Sequence, residues 1–418
     1  VRWGRILLLV GLLAPRLGAA DPAEPLTLEQ ALQEARRANA ALPVARFQAE
    51  QADAAVREAQ GLRLPSLAFD GDVHGGTPRR YASFDARTQL VAQVPVFDRR
   101  LGANVNQSLA AADAARAGFR RAELDLDRDV RGRFAECLEA EREIAFRQAG
   151  QRRLETYLSI IGARRASGQG LASDRSKTQV RLGEGEAAIA DAERRFDEAR
   201  LELNDLMGRP LDGPLALVPP APPSALPAPL AAEPWLLTPE VIEADAGAAE
   251  AGAELEKVRA DRWPTVSLLA NAGGQPVLGN SDVALLNNGE GWGAEFVLLF
   301  NLPLWDAGVY RSRVAQADLA QRAAKQNVTA TQRGVRLEWQ RAAARLRNLL
   351  HEVEVRLHTI ETARDSYLQA ESLYRGGAGT ALDVLEAYDA WTNSNQAHAD
   401  AELRYRLAEA DLLRWGTQ

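Results

Sequence analysis

The chain has 418 residues with 57 Asp and Glu against 50 Lys and Arg, a single cysteine and four histidines. The acidic balance argues against nucleic acid as a partner, because binding phosphates needs a cationic excess that displaces their counterions. Cys137 alone excludes an internal disulfide, so stability must come from burial and association. The richness in Ala, Arg, Glu, Gln and Leu favours long helices.

Residues 1–20 carry Arg2 and Arg5, the apolar run Ile6 to Leu13, then Gly18-Ala19-Ala20, the layout of a cleavable secretory signal. The run is about half the roughly 20 residues that would span a bilayer. No cysteine follows the expected cut at Asp21, so no lipid can be attached there.

From Thr27 to Leu64 the pattern is helical, with Thr27 as N-cap, Gln30 completing a capping box and Pro65 ending the run. From Ser66 to His74 the period changes to two: Leu67, Phe69 and Val73 share one face, Ser66, Asp70 and Asp72 the other. Gly75, Gly76 and Pro78 break this strand. A return strand sets Thr88, Leu90, Ala92, Val94 and Val96 against Arg87, Gln89 and Gln93, which makes a hairpin.

Asp98 caps a second helix that continues to about Ala166, or ~100 Å at 1.5 Å per residue. The run Ser167-Gly168-Gln169-Gly170 supplies a turn, and a helix from Ser173 to Met207 folds back. Cys137 lies in line with Leu126, Val130 and Phe134, as a buried small hydrophobe. Residues 208–237 are thick with Pro and Ala and read as an extended connector.

The second half repeats the order. A helix is expected from Pro239 to Trp263, strands at Thr265 to Asn271 and Trp292 to Leu304, a helix from Asp306 to Tyr374, a glycine turn, and a last helix ending near Trp415. In the final strand Trp292, Ala294, Phe296, Leu298, Phe300, Leu302 and Leu304 share one face, with Glu295 and Asn301 on the other. Ala192, Phe196, Ala199, Leu203 and Leu206 reappear as Ala401, Tyr405, Ala408, Leu412 and Trp415, a 4,3,4,3 spacing found twice and hence a coiled-coil seam. The expected fold is mainly α with a small β part, in two tandem repeats: residues 1–20 signal, 21–207 first repeat, 208–237 connector, 238–418 second repeat.

Four strands cannot close a barrel, and open edges in lipid leave backbone groups unsatisfied at several kcal/mol each. Chains must therefore pool strands. Two chains would give eight strands and a filled interior; three would give twelve and room for a channel. Phe69, Phe97, Trp263, Trp292 and Trp305 lie near strand ends, where interfacial aromatic girdles belong; ordinary core packing is the competing reading.

The doubled order of helix, strand pair, long helix, glycine turn and helix resembles the TolC-type outer-membrane efflux family. The motifs that carry it are Pro95 to Asp98 and Pro303 to Asp306, with the Gly-x5-Asp tips Gly168/Asp174 and Gly377/Asp383. The resemblance implies a homotrimer with a twelve-stranded barrel in outer-membrane lipid and a helical tunnel in the periplasm. It also implies docking on a periplasmic adaptor driven by an inner-membrane pump, and passive transport without cofactor or bond chemistry. By position it puts Gly168, Gly170, Gly377 and Gly379 at the hairpin tips and adaptor contacts. Asp174, Tyr374, Asp383 and Glu386 then fall at the periplasmic gate, Asp383 and Glu386 forming acidic rings and Tyr374 within reach of Asp174. Gly379 stands where the family carries an arginine. For Asp174 and Asp383 the alternative is plain helix N-terminal chemistry.

A soluble periplasmic coiled-coil scaffold or a pump adaptor would share the long hairpins, but an adaptor would also carry all-β domains. No nucleophile sits in a triad context. His351, Glu354 and His358 share a helical face, but the two histidines are two turns apart, too far for a compact metal site.

Overall fold

Thr27 and Gln30 form the capping box read from the sequence: the Thr27 amide donates to Gln30 Oε1 at 2.8 Å, and the Gln30 amide to Thr27 Oγ1 at 3.3 Å. In the computed structural model, which describes residues 25–76, 83–166, 171–223, 233–274, 277–278 and 292–415, this starts α1 (Leu28–Ala38). The expected leader at 1–20 and the Ser167–Gly170 turn, with Gly168 and Gly170, lie outside the described residues.

The single helix expected from Thr27 to Leu64 is two. The chain leaves α1 at Asn39 and Ala40 and starts again as α2 (Ala41–Gly61). Pro43 is the physical reason. It has no amide hydrogen to give the Asn39 carbonyl and its ring would collide with that carbonyl in a continuous helix. In a first turn it is tolerated, and Asn39 Oδ1 takes the Ala41 amide at 2.9 Å.

The remaining elements follow the repeat. They are β2 (Ser66–Gly76), β3 (Ser83–Phe97), α3 (Arg99–Ala166), α4 (Ala172–Leu206), a 3-10 turn at Pro234–Leu237, α5 (Pro239–Ala260), β5 (Thr265–Gly274), β6 (Val277–Leu278), β7 (Trp292–Asn301), α6 (Val309–Arg375) and α7 (Ala381–Leu413), with two short strands, β1 (Pro25–Leu26) and β4 (Ala216–Leu217). Asp98 caps α3 as expected, its Oδ1 accepting the Arg100 amide at 2.9 Å. Asp306 does its counterpart's work differently. Ala307 and Gly308 take positive φ (53° and 88°), so α6 starts at Val309 rather than Asp306, and Asp306 Oδ2 accepts the Tyr310 amide at 2.6 Å.

The chain divides into two compact units. The first holds residues up to Arg37 together with Arg133–Pro222. In it β1 pairs in parallel with β4, so part of the expected connector is a strand. Arg209 Nε donates to Glu34 at 2.6 Å, and this partner raises the Arg209 pKa above its ordinary value. Buried Asn204 gives its amide hydrogens to the Leu211 and Gly213 carbonyls at 3.1 and 3.0 Å, fixing the chain beyond α4. Ala192, Ala199 and Leu203 of the predicted seam are buried, as are Phe134 and Cys137. Burial pushes the Cys137 thiol pKa up to about 12.

The second unit holds Ala38–Gly132 and Pro223–Gln418. Here the seam of α7 is buried against α6: Ala401, Tyr405 and Ala408 pack with Leu346, Leu349 and Val353. Trp235 of the 3-10 turn packs with Val241 and Val335, with its ring 5.4 Å from that of Trp339. Arg414 joins two helices by ion pairs to Asp125 at 2.8 Å and Glu240 at 3.1 Å. The strands run β2-β3-β5-β7, all antiparallel, with β6 also on β3. The β3–β5 pairing joins the two repeats into one sheet, with β2 and β7 as its outer strands.

Candidate functional site

In an antiparallel sheet, residues directly opposite each other point to the same side. The register therefore fixes the content of each face. One face carries the rows Leu67–Ala92–Ala270–Phe296 and Phe69–Leu90–Ala272–Ala294, followed by Val94–Leu268–Leu298 and Val266–Phe300. It is apolar on all four strands. Its large side chains stand open: Leu67, Phe69, Phe296, Leu298 and Phe300 are between 63% and 74% exposed. The opposite face is mixed: it carries Ser66, Asp70, Gln89, Gln93, Ser267, Asn271, Glu295 and Asn301, with Val91, Leu269, Val297 and Leu299 among them. All the charged and most of the polar side chains of these rows thus collect on one face, leaving the other apolar, the arrangement of a barrel wall with lipid outside and water inside.

The girdle candidates separate by position. Phe97 ends β3, and Trp263 stands two residues before β5, their ring centroids 6.5 Å apart. Trp305 follows β7 at the same edge, 87% exposed. Phe69 sits four residues into β2, inside the apolar band rather than at its rim. Trp292 opens β7 at the opposite edge.

The tip between α6 and α7 is a tightly specified turn. Gly377 has φ +84°, the left-handed conformation that ends many helices. Its amide donates to the Tyr374 carbonyl at 3.1 Å and the Ala378 amide to the Leu373 carbonyl at 2.9 Å, the pair of bonds of a Schellman motif. A Cβ on Gly379 would lie 3.1 Å from the Tyr374 nitrogen and 3.2 Å from Leu373 Cβ. The backbone folds closely enough there that a side chain could enter only if its neighbours gave way, which is a physical reason for glycine at this position.

Thr380 then caps α7 in a reciprocal box. Its amide donates to Asp383 Oδ2 at 2.9 Å and its hydroxyl to the same oxygen at 2.7 Å, while the Asp383 amide donates to Thr380 Oγ1 at 3.2 Å. The Thr380 amide and hydroxyl hold the Asp383 carboxyl below its ordinary pKa. Asp383 and Glu386 are both exposed, one helical turn apart, whereas Tyr374 is buried. Asp174 occupies the matching position in α4, but the residue matching Thr380 is Leu171, which has no side-chain oxygen and makes no cap. Asp174 therefore has no reciprocal cap to serve.

Several features were not legible as site or scaffold. Tyr367 stacks on Trp391 at 5.5 Å and meets Tyr388 edge-on at 5.9 Å, tying α6 to α7. In the first unit Glu139 and Glu143, both nearly buried, are held by Arg195, and Glu143 also by Arg147 at 2.6 Å. The signal was present: two carboxylates four apart on a helix are carried inward only beside matching cations. His351 and His358 are exposed and each faces a glutamate of its own helix, Glu354 at 3.8 Å and Glu361 at 3.7 Å. Among the described residues no three His, Cys, Asp or Glu side chains converge as metal ligands, and no helix is long and apolar enough to cross a membrane.

Known structures share this arrangement. The transmembrane channel CusC superposes with a TM-score of 0.81 at 20% identity, over 94% of this chain and 92% of its own. The outer membrane protein VceC of Vibrio cholerae gives 0.80 at 19%, over 93% and 96%. The open-state outer membrane channel MtrE of Neisseria gonorrhoeae gives 0.78 at 22%, over 93% and 88%. A search of curated proteins finds no match. The model of the family described as outer membrane efflux protein matches twice, at residues 31–209 and 237–415, the two copies that the sequence repeat marks. With most of its length in those two matches and a half-apolar sheet beside long helical hairpins, the chain belongs to the outer membrane efflux protein family and is an efflux channel of the outer membrane.

Proposed function

We propose that three copies of this chain form the exit duct of a tripartite efflux or type I secretion system, taking solutes from a periplasmic adaptor and an inner-membrane pump to the exterior. One observation carries the reading: a sheet of four long strands with an exposed apolar face, a more polar face and two outer strands, β2 and β7, that among the described residues are paired on one side only. In hydrocarbon an unpaired strand edge is costly at every residue, so β2 of one copy must meet β7 of the next. Twelve strands leave an aqueous bore lined by the polar face, where Asp70 and Glu295 supply negative charge.

At the periplasmic end, Asp383 and Glu386 from three copies form two acidic rings at a narrow axis and favour cations. Asp174, at the matching position of α4, adds a third carboxylate, and buried Tyr374 supports the α6–α7 tip. Gly377 and Gly379 keep the α6–α7 tip compact enough for an adaptor to grip, and Gly168 and Gly170 are the corresponding contact residues of the first repeat. Transport is passive, with the driving force coming from the pump.

The test is a planar-bilayer recording of the purified chain. A trimer that needs detergent for extraction and gives discrete, cation-preferring conductance is expected, with the preference reduced in Asp383→Asn/Glu386→Gln. A monomer released by salt alone, or a trimer without conductance, refutes the duct. Unchanged selectivity in the double variant removes those two residues from the lumen.

A further inference from the structure

We infer that the collar where the sheet meets the helices is a binding surface for the headgroups of negatively charged phospholipids, built by Arg99 and Arg262, each stacked over an aromatic ring, with Arg63 at the same edge. The inference rests on the outer-membrane reading above. It adds a lipid specificity that an aromatic girdle by itself does not have.

The register brings these arginines to one edge. Phe97 at the end of β3 pairs with Val266, and Thr265 at the start of β5 pairs with Asn301 at the end of β7. Arg99 stands two residues beyond β3 and Arg262 three before β5, so both lie at the helix-proximal rim; Arg63 stands three residues before β2. The Arg99 guanidinium lies over the Trp263 ring at 4.5 Å, and that of Arg262 over the Tyr310 ring at 5.4 Å. Cation–π stacking fixes the planar group while leaving its N–H donors free.

The second observation is what these arginines lack. Elsewhere arginines are commonly matched to carboxylates, as at Arg116–Asp53, Arg121–Glu243 and Arg414–Asp125. Arg63, Arg99 and Arg262 have no carboxylate partner among the described residues. The acids nearby are largely engaged: Asp98 is bound by Arg100 at 2.8 Å, and Asp306 accepts the Gly308 and Tyr310 amides. Asp261 is the remaining one. Over residues 62–64, 97–100, 261–263 and 302–313 the chain has six arginines and three aspartates, a positive collar on a chain of net charge −7.

The chemistry of the rim selects the partner. Immediately beside the collar stand Leu62, Leu64, Trp263, Leu304 and Trp305, all exposed. Free cations bordering an open apolar surface match an amphiphile with a phosphate or carboxylate head and hydrocarbon tails. Guanidinium forks bind such oxyanions in pairs of parallel hydrogen bonds. A basic residue near a membrane surface favours a negatively charged lipid by about fivefold.

The experiment places the full chain in nanodiscs of equimolar phosphatidylglycerol and phosphatidylethanolamine, extracts the trimer gently, and reads the retained lipid by native mass spectrometry. Phosphatidylglycerol should be enriched about fivefold or more over the bulk ratio. Arg99→Gln/Arg262→Gln should return the ratio to within about twofold of bulk, and Arg99→Lys/Arg262→Lys should keep most of it, since the surface attraction is to charge. If the Gln variant does not assemble, salt on the wild type gives the same reading: enrichment should fall as the Debye length shrinks from about 10 Å at 0.1 M to about 3 Å at 1 M. Retained lipid at the bulk ratio, or unchanged enrichment in the assembled Gln variant, overturns the inference and leaves the channel intact. Loss of enrichment to inorganic phosphate at matched ionic strength overturns it too, by assigning the arginines to small anions. A chain that does not enter the bilayer overturns both readings.

Discussion

Leu298 and Leu299 are adjacent leucines of β7 that the register sends to opposite faces of the sheet. Leu298 lies in the apolar row with Val94 and Leu268, 65% exposed in the single chain; Leu299 lies beside Ser267 on the polar side, 49% exposed. Full burial of a leucine is worth about 1.5 to 3 kcal/mol, so covering the open two-thirds of Leu298 with hydrocarbon contributes about 1 to 2 kcal/mol. An arginine on the lipid face of a barrel costs a further 2 to 4 kcal/mol or so near the midplane. Leu298→Arg should therefore destabilise the inserted state by about 3 to 6 kcal/mol per chain, borne three times in a trimer. Leu299→Arg gives up partial packing but keeps its charge in water, and about 1 kcal/mol is expected. The assay is denaturant unfolding of proteoliposome-inserted protein, alongside the yield of detergent-resistant trimer in outer-membrane fractions. Equal losses for the two variants, or the larger loss for Leu299→Arg, would refute the facing of the sheet and with it the barrel.

Three further outcomes follow from the helical parts. Leu346, fully buried in the α6–α7 seam, should cost about 2 to 5 kcal/mol on replacement by alanine, read as a lower melting temperature of the helical signal. The depressed Asp383 pKa contributes stability that is present above the unfolded carboxyl pKa of about 4 and lost as pH falls through the lower folded value. Hydrogen exchange at the first turn of α7 should thus separate wild type from Asp383→Ala at neutral pH and cease to do so in acid; a gap that persists unchanged at low pH contradicts the capping account. Cys137, buried with its thiol pKa pushed up to about 12, should resist maleimide at neutral pH in the folded protein and react only on unfolding, and prompt labelling of the native state would disprove its burial.

Much of this protein is written locally. The Thr27–Gln30 box, the Asp98 cap, the Gly377 turn and the alternation of β7 each depend on residues within a few positions of one another, so spacing alone specified them. The seam residues Ala401, Tyr405 and Ala408 needed only a period of 3.5. Even the tip acids were found by position, although which of them would engage a cap turned on Thr380 against Leu171.

The tertiary structure decided what spacing cannot carry. That β3 lies beside β5, uniting the two repeats in one sheet, is a contact between residues about 175 apart, and no local propensity encodes it. The same holds for the β1–β4 pair and for Arg209 on Glu34, where the energy comes from groups that meet only once the chain has folded back. Pro43 splitting the first helix, and Ala307 and Gly308 delaying α6, were present in the sequence but masked by stronger periodic signals around them. The closeness of Gly379 to Tyr374 and the open arginines of the collar likewise emerge only in three dimensions, because both are statements about what a residue has, or lacks, as a neighbour.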